Sequence, residues 1–202
     1  MNTQEMIKRL FLSIAISVAA LIAGTSSAAA AVTRCDGDLP AGTYDHVLVP
    51  KGQICVLVGA VTVEGNMILQ EGASLTQLSS GTLTVNGNLQ GHGVRNVFTG
   101  AATITIHGNV SFTGATAAVA LENVLIGGNL NISKSNENVI LDVVGCQVTG
   151  NALLQNNALT FPAFFKIFSN TIFGNLVCNG NDPAPGLDSN TVSGQSIGQC
   201  SQ

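Results

Sequence analysis

The residues of this chain that could perform acid–base chemistry are few and widely spaced. Its 202 residues include three histidines and 11 aspartates and glutamates. Inverting hydrolysis of a glycosidic bond needs an acid and a base about 6.5–9.5 Å apart. His92 stands between Gly91 and Gly93, and the carboxylates nearest to it in sequence, those of Glu71 and Glu122, are more than twenty residues away. The flanking glycines favour a histidine in a turn, and we assign no catalytic residue.

The segment 91–93 resembles the G-H-G element of polygalacturonases, which are secreted β-helix enzymes. The N-T-D, D-D and R-I-K elements of those enzymes have no counterpart in this chain. Pectate lyase chemistry needs several carboxylates to hold calcium and an Arg that acts as the base. Glu64 and Asn86 stand at equivalent points of two successive repeats, but one carboxylate does not make a calcium site. A polysaccharide lyase or glycoside hydrolase therefore remains an alternative function, although a non-enzymatic role is favoured.

Neither metal binding nor nucleic acid binding is indicated. His46 and His107 show no metal-ligand spacing with each other or with His92, so we expect no metal and no cofactor. The chain has 7 Lys and Arg against 11 Asp and Glu, which gives a net charge of −4 at pH 7. Nucleic acid binding needs basic residues clustered on one face, whereas the basic residues that follow the leader are scattered.

The first 31 residues have the order of a secretory signal peptide. Lys8 and Arg9 precede an apolar run over 10–24, and small residues follow over 25–31 with a site of the A-x-A type. The apolar run is short for a membrane span, and no basic stop signal follows it. We predict a signal peptide over 1–31, no stable membrane span, and a secreted or periplasmic protein that can associate with the cell surface.

A Gly-Asn pair recurs along the rest of the chain at steps of 20 to 24 residues. A regular period of this length indicates a solenoid or a repeat array. Around each pair apolar and polar residues alternate, which is typical of strands with one buried face. The residues two positions before each glycine are Val63, Val85, Ile106, Ile126, Val148 and Ile172. We therefore predict an all-β, single-stranded parallel β-helix of about seven turns over 32–202, with 20–24 residues per turn.

The asparagines of these pairs are predicted to form a structural ladder. Identical amides one turn apart can hydrogen-bond to each other along a stack. The glycine before each amide supplies a backbone turn that a Cβ atom would hinder. The ladder residues are Asn66, Asn88, Asn109, Asn129, Asn151 and Asn175.

The cysteine spacing predicts two disulfides and one free thiol. Cys35 and Cys55 are 20 residues apart, and Cys178 and Cys200 are 22 residues apart. Each spacing equals one turn, which brings the two Cα atoms into the disulfide window of ~4.4–6.8 Å. We predict both bonds, one at each end of the solenoid, in an oxidising compartment. Cys146 falls in an inward column and is expected to be a buried thiol.

Outward threonines form the candidate binding surface. They give a T-x-T pattern on two successive turns, with a further threonine one turn earlier, and such arrays are used by some ice-binding β-solenoids. Leu125 and Gln147 interrupt the column, so ice binding is a second alternative function. The candidate binding residues are Thr62, Thr82, Thr84, Thr103 and Thr105.

The two terminal segments add a resemblance to known proteins. The stretch 35–55, which begins Cys35-Asp36-Gly37-Asp38-Leu39-Pro40, and the stretch 174–200, which begins Gly174-Asn175-Leu176-Val177-Cys178, carry it together with the Gly-Asn repeats. They are similar to a group of small secreted bacterial parallel β-helix proteins. The resemblance covers nearly the whole of 32–202, supports the fold and both disulfides, and implies a bacterial origin. It carries over no catalytic residues.

These features together favour an exported, non-enzymatic β-solenoid. We expect a surface or matrix protein that presents polar β-faces to a polysaccharide or a surface protein. The open edges at the two ends of such a solenoid are compatible with a monomer or with weak end-to-end self-association. Three or more carboxylates in one groove would instead favour an enzyme, and an unbroken flat threonine face would favour ice binding.

Overall fold

The computed structural model describes residues 30–77, 81–100, 103–136, 139–160 and 164–201. Almost all of the predicted signal peptide, residues 1–29, lies outside these ranges. The segment Ala31–Gln202 forms one compact unit. In the ranges described, no helix is long and apolar enough to cross a membrane.

The unit consists of short strands separated by tight corners. In chain order they are β1 (Val32–Arg34), β2 (Asp38–Tyr44), β3 (His46–Val49), β4 (Ile54–Val63), β5 (Met67–Leu69), β6 (Ser74–Gln77), β7 (Thr82–Val85), β8 (Leu89–His92), β9 (Asn96–Phe98), β10 (Ile104–Ile106), β11 (Val110–Thr113), β12 (Ala118–Glu122), β13 (Val124–Ile126), β14 (Leu130–Ser133), β15 (Ile140–Val144), β16 (Gln147–Val148), β17 (Ala152–Gln155), β18 (Phe165–Phe168), β19 (Thr171–Ile172), β20 (Leu176–Asn179), β21 (Gly186–Asp188), β22 (Thr191–Val192) and β23 (Ser196–Gly198).

Each strand pairs in parallel with the strand one turn later. A nine-stranded sheet, which we call face A, has the order β1-β3-β5-β8-β11-β14-β17-β20-β23. A 14-stranded sheet turns a corner at the long strand β4, whose first half pairs with β6 and whose second half pairs with β7. We call its two parts face B (the first halves of β2 and β4, then β6, β9, β12, β15, β18 and β21) and face C (the second halves of β2 and β4, then β7, β10, β13, β16, β19 and β22). The predicted parallel β-helix is thus confirmed, with about seven turns of about 21 residues.

The core consists of aliphatic columns that run along the inside of the solenoid. Because successive residues of a strand point to opposite faces, one residue in two enters the core. The six residues that precede the Gly-Asn pairs, predicted to be inward, are each at most 2% exposed. On face A the corresponding inward column is Val47, Met67, Leu89, Val110, Leu130, Ala152 and Leu176.

The Gly-Asn pairs form the corner between face C and face A. A Cβ atom added to Gly87, Gly108 or Gly174 would lie 2.5 Å from the carbonyl oxygen of the glycine one turn earlier. None of these three glycines has a positive φ. The corner therefore requires glycine because successive turns approach closely, and not because the backbone is left-handed.

The cysteine pairs predicted from the spacing lie at disulfide distance near the two ends of the solenoid. The Cα atoms are 5.3 Å apart for Cys35–Cys55 and 5.2 Å apart for Cys178–Cys200. Cys146 is free and buried. The two pairs are compatible with an extracellular or periplasmic protein.

Candidate functional site

The outward threonines of the candidate binding surface lie on face C. Thr82 and Thr103 are exposed, whereas Thr62, Thr84 and Thr105 are half-buried. The break at Leu125 and Gln147 is present in the register, so the column is not an unbroken hydroxyl surface. In full, the column consists of Thr43, Thr62, Thr84, Thr105, Leu125, Gln147, Thr171 and Thr191.

The six asparagines of the Gly-Asn pairs form one hydrogen-bonded column, which we call the Gly-Asn ladder. Each backbone N–H donates to the Oδ1 atom of the asparagine one turn earlier, at 2.8 Å in all five steps. The Nδ2 atom of Asn88 also donates to Oδ1 of Asn66, at 3.1 Å. The amide oxygens therefore pair the backbone donors at the corner where the strands end.

Two residues that the sequence analysis did not include stand at the ends of this ladder. At the first turn, the N–H of Asn66 donates to Nδ1 of His46 at 2.9 Å. At the last turn, the N–H of Gln195 donates to Oδ1 of Asn175 at 2.8 Å. His46 is thus a structural acceptor at the first turn of the ladder.

Two shorter amide columns, also absent from the sequence analysis, line the other corners near the C-terminal end. The backbone N and Nδ2 of Asn157 both donate to Oδ1 of Asn181. The same two groups of Asn181 donate to Oε1 of Gln199. Asn170 makes the same pair of bonds to Oδ1 of Asn190. Asn157, Asn170 and Asn181 are at most 5% exposed, and their Nδ2 groups also reach backbone carbonyls. These amides are therefore structural.

A groove of about 720 Å³ lies on face A, near the N-terminal end. Two neighbouring outward columns line it. They are Ile68, Gln90 and Ser111 on one side and Gln70, His92 and Thr113 on the other. Lys51 and Glu71 complete its rim. We call this feature the face A groove.

The face A groove exists because the first two turns carry an additional residue at the corner that follows face A. The left-handed glycine of this corner, Gly52 or Gly72, comes three residues after the last inward residue, Val49 or Leu69. In the next turn the left-handed glycine is Gly93, and it comes two residues after Gly91, the register partner of Leu69. This corner is therefore one residue shorter. The additional residues are Lys51 and Glu71, which project at this corner.

The two charged residues of the rim pair with each other. Nζ of Lys51 lies 2.7 Å from Oε2 of Glu71, and their side chains are 70% and 63% exposed. The hydrogen bond and the positive charge of Lys51 lower the pKa of Glu71. Glu71 is therefore ionised at neutral pH and is a poor general acid.

The structure changes the interpretation of the neighbourhood of His92. His92 and Glu71 are far apart in the sequence, and on that ground we did not pair them, but both side chains line the face A groove. A Cβ atom on Gly91 would lie 2.3 Å from Cγ1 of Val94 and 3.0 Å from the ring of Phe112, so this glycine makes room for the core. Gly93 has a φ of 61° at the corner. Both glycines of the G-H-G segment are thus explained by packing and backbone shape.

A second polar chain joins the corner residues that precede three of the Gly-Asn pairs. Nδ2 of Asn86 donates to Oε2 of Glu64 at 2.7 Å, and Oδ1 of Asn86 lies 2.8 Å from Nδ1 of His107. Glu64, Asn86 and His107 are all exposed. The chain contains one carboxylate, so it lacks a paired acid and base.

The arrangement offers hydrogen bonding more than acid–base or metal chemistry. Glu71 is the single carboxylate among the described residues that line the face A groove. No group of three or more His, Cys, Asp or Glu side chains in the described part of the chain could hold a metal ion. Burial raises the pKa of the Cys146 thiol to about 11, which makes it a weak nucleophile.

No family model matches the chain, and neither the curated proteins nor the solved structures provide a match.

Proposed function

We propose that this protein is an exported, non-enzymatic β-solenoid that acts at a cell surface or in the surrounding matrix. It presents polar β-faces to glycans or to protein partners. The leader-like residues 1–31 and the two cysteine pairs support export, because disulfides persist in oxidising compartments.

The observation that carries the proposal is an uninterrupted polar column at the outer edge of face A. Five of its members pair in register from His92 to Asn179, and Gln70 comes directly after Leu69, the register partner of Gly91. None of the six is a carboxylate, Lys or Arg. They are Gln70, His92, Thr113, Ser133, Gln155 and Asn179. A regular row of amides and hydroxyls at the strand spacing suits the repeated hydroxyl groups of a polymer, because these groups both donate and accept hydrogen bonds.

A co-sedimentation panel tests the proposal. The mature protein is mixed with cellulose, chitin, xylan and cross-linked polygalacturonate, and each supernatant is assayed for protein, new reducing ends and unsaturated sugars. We expect retention by at least one polymer without new ends. New ends or unsaturated sugars that appear with the wild type and disappear with His92→Ala would contradict the proposal and establish an enzyme.

The threonine column of face C favours ice binding as a second candidate. The first four members of this column are all threonines: Thr43, Thr62, Thr84 and Thr105. Thermal hysteresis of the mature protein decides this point, with Thr84→Leu as the variant. A freezing-point gap that the variant loses would replace the glycan-binding proposal with ice binding.

A further inference from the structure

We propose that the face A groove binds an extended, uncharged polysaccharide segment that lies along the solenoid axis. This inference rests on the proposed function and names both the site and the ligand class. The volume of the groove, about 720 Å³, falls within the usual range of ligand sites, roughly 300–1,000 Å³.

The first argument is the chemistry of the lining. Gln90, Ser111 and Thr113 each carry groups that donate and accept hydrogen bonds. The Oε1 atom of Gln70 already accepts from the backbone N–H of Lys51 at 3.0 Å, so this side chain offers its Nε2 group as a donor. Sugar hydroxyls also donate and accept hydrogen bonds, so a lining side chain and a sugar hydroxyl can satisfy each other's donors and acceptors. Ile68, which is 42% exposed, adds an apolar surface on which the C–H face of a sugar ring can rest.

The second argument is charge. The Lys51–Glu71 pair at 2.7 Å compensates the two charges of the rim, so the groove carries no excess positive charge to hold a uronate or a sulfate. The chain as a whole has a net charge of −4 at pH 7 and repels polyanions. Both facts favour an uncharged polymer.

The third argument is the spacing of the lining residues. Ile68, Gln90 and Ser111 follow one another on successive turns, as do Gln70, His92 and Thr113. Neighbouring turns are about 4.8 Å apart, a distance similar to the advance of an extended β-linked pyranose chain per sugar. A chain parallel to the axis therefore meets one pair of lining residues per sugar unit.

The concave surface of face C is a weaker candidate for the same ligand. It measures about 200 Å³ and includes the exposed Leu125 among its lining residues. This difference in volume provides a matched pair of variants. Ser111→Trp fills the face A groove, and Gln147→Trp places the same bulk at an exposed outward position of face C.

Affinity electrophoresis in gels that contain neutral mixed-linkage β-glucan tests the assignment, with polygalacturonate gels as the charged comparison. We expect β-glucan to retard the wild type and Gln147→Trp equally, and Ser111→Trp to bind about tenfold more weakly, which corresponds to about 1.4 kcal/mol. Far-UV circular dichroism establishes that each variant is folded. The double variant Gln90→Ala/His92→Ala removes lining groups without added bulk, and we expect it to weaken binding as well.

The possible outcomes separate the site from the function. If Gln147→Trp loses binding while Ser111→Trp and Gln90→Ala/His92→Ala retain it, the groove assignment is wrong and the function stands. If polygalacturonate retards the wild type more than β-glucan does, the uncharged ligand class is wrong. If neither gel retards the wild type and the co-sedimentation panel also shows no retention, both the assignment and the proposed function fail.

Discussion

At the scale of single residues, the amide oxygen of each Gly-Asn pair accepts a backbone hydrogen bond at a corner that the strands do not cover. The strands of faces A and C end at this corner, and the backbone N–H of each asparagine there donates to a side-chain oxygen one turn earlier. The sequence predicted this column because the same dipeptide recurs. It did not predict His46 as the first acceptor, because a histidine there breaks the repeat while preserving the hydrogen bond.

His46 gives a prediction that separates the acceptor from the side chain around it. The variant His46→Leu leaves the N–H of Asn66 without its acceptor, and we expect a loss of about 1–3 kcal/mol in the free energy of unfolding. His46→Asn supplies an amide oxygen, as in the later turns, and we expect at most half of that loss. Urea unfolding of both variants measures the difference, and equal losses would contradict a ladder-capping role.

Cys146 gives a pH-dependent prediction. Burial raises the pKa of its thiol from 9.0 to about 11 in the folded state, so above pH 9 the unfolded chain releases this proton first. Stability therefore falls between pH 9 and 11, and Cys146→Val should abolish this part of the fall. Differences in thermal midpoint between the wild type and the variant across this range measure the effect.

A thiol reagent provides an independent measurement on Cys146. At pH 8 the side chain is 1% exposed and protonated, so we expect no reaction in the native protein and full reaction in urea without reductant. Rapid labelling of the native protein would show that this thiol is accessible, and the buried-thiol assignment would be wrong.

At the scale of strands and corners, residue insertions decide where the solenoid departs from regularity. The alternation of apolar and polar residues was visible in the sequence because it repeats in every turn, and it predicted the inward columns correctly. The face A groove was not visible, because it depends on the additional residues Lys51 and Glu71 in two turns alone. The steps between the Gly-Asn pairs range from 20 to 24 residues, so the step of 22 residues from Gly65 to Gly87 does not reveal at which corner the additional residue lies.

The glycine corner gives the prediction for this scale. In Gly108→Ala the new Cβ atom would meet the carbonyl oxygen of Gly87 at 2.5 Å, so the turns must separate. We expect a loss of about 1–3 kcal/mol. Gly37→Ala is the matched control, since a Cβ atom there has no neighbour within 4 Å, and its effect should stay within about 0.5 kcal/mol. Similar chemical denaturation midpoints for the two variants would contradict the close-approach argument.

At the scale of the whole molecule, the solenoid is stabilised by contacts between neighbouring turns, so its two ends have fewer contacts than its middle. The cysteine spacing predicted where the chain compensates for this, because one turn separates the members of each pair. The amide columns of the last turns, such as Asn170 and Asn190, were not predicted, because two or three members do not make a recognisable period.

Removal of the C-terminal pair tests this account. The bond Cys178–Cys200 closes a loop of 22 residues, and the double variant Cys178→Ala/Cys200→Ala should lose about 3 kcal/mol. Hydrogen exchange should rise mainly in β22 and β23, and the amides of β11 should stay protected. The corresponding variant of Cys35 and Cys55 should affect the opposite end, and a uniform rise along the chain in either variant would contradict end-specific stabilisation.

The uniform register of the turns also bears on how such a chain can change length. Every turn offers the same parallel edge to the turn before it and to the turn after it, and Gly108 and Gly128 occupy equivalent positions on successive turns. Excision of residues 108–127 would join His107 to Gly128 and leave two edges that match in direction, alternation and amide position. Length in this architecture is therefore a modular quantity. Whole turns can be gained or lost by duplication or deletion, whereas a change of one residue within a strand would shift a buried side chain to the surface.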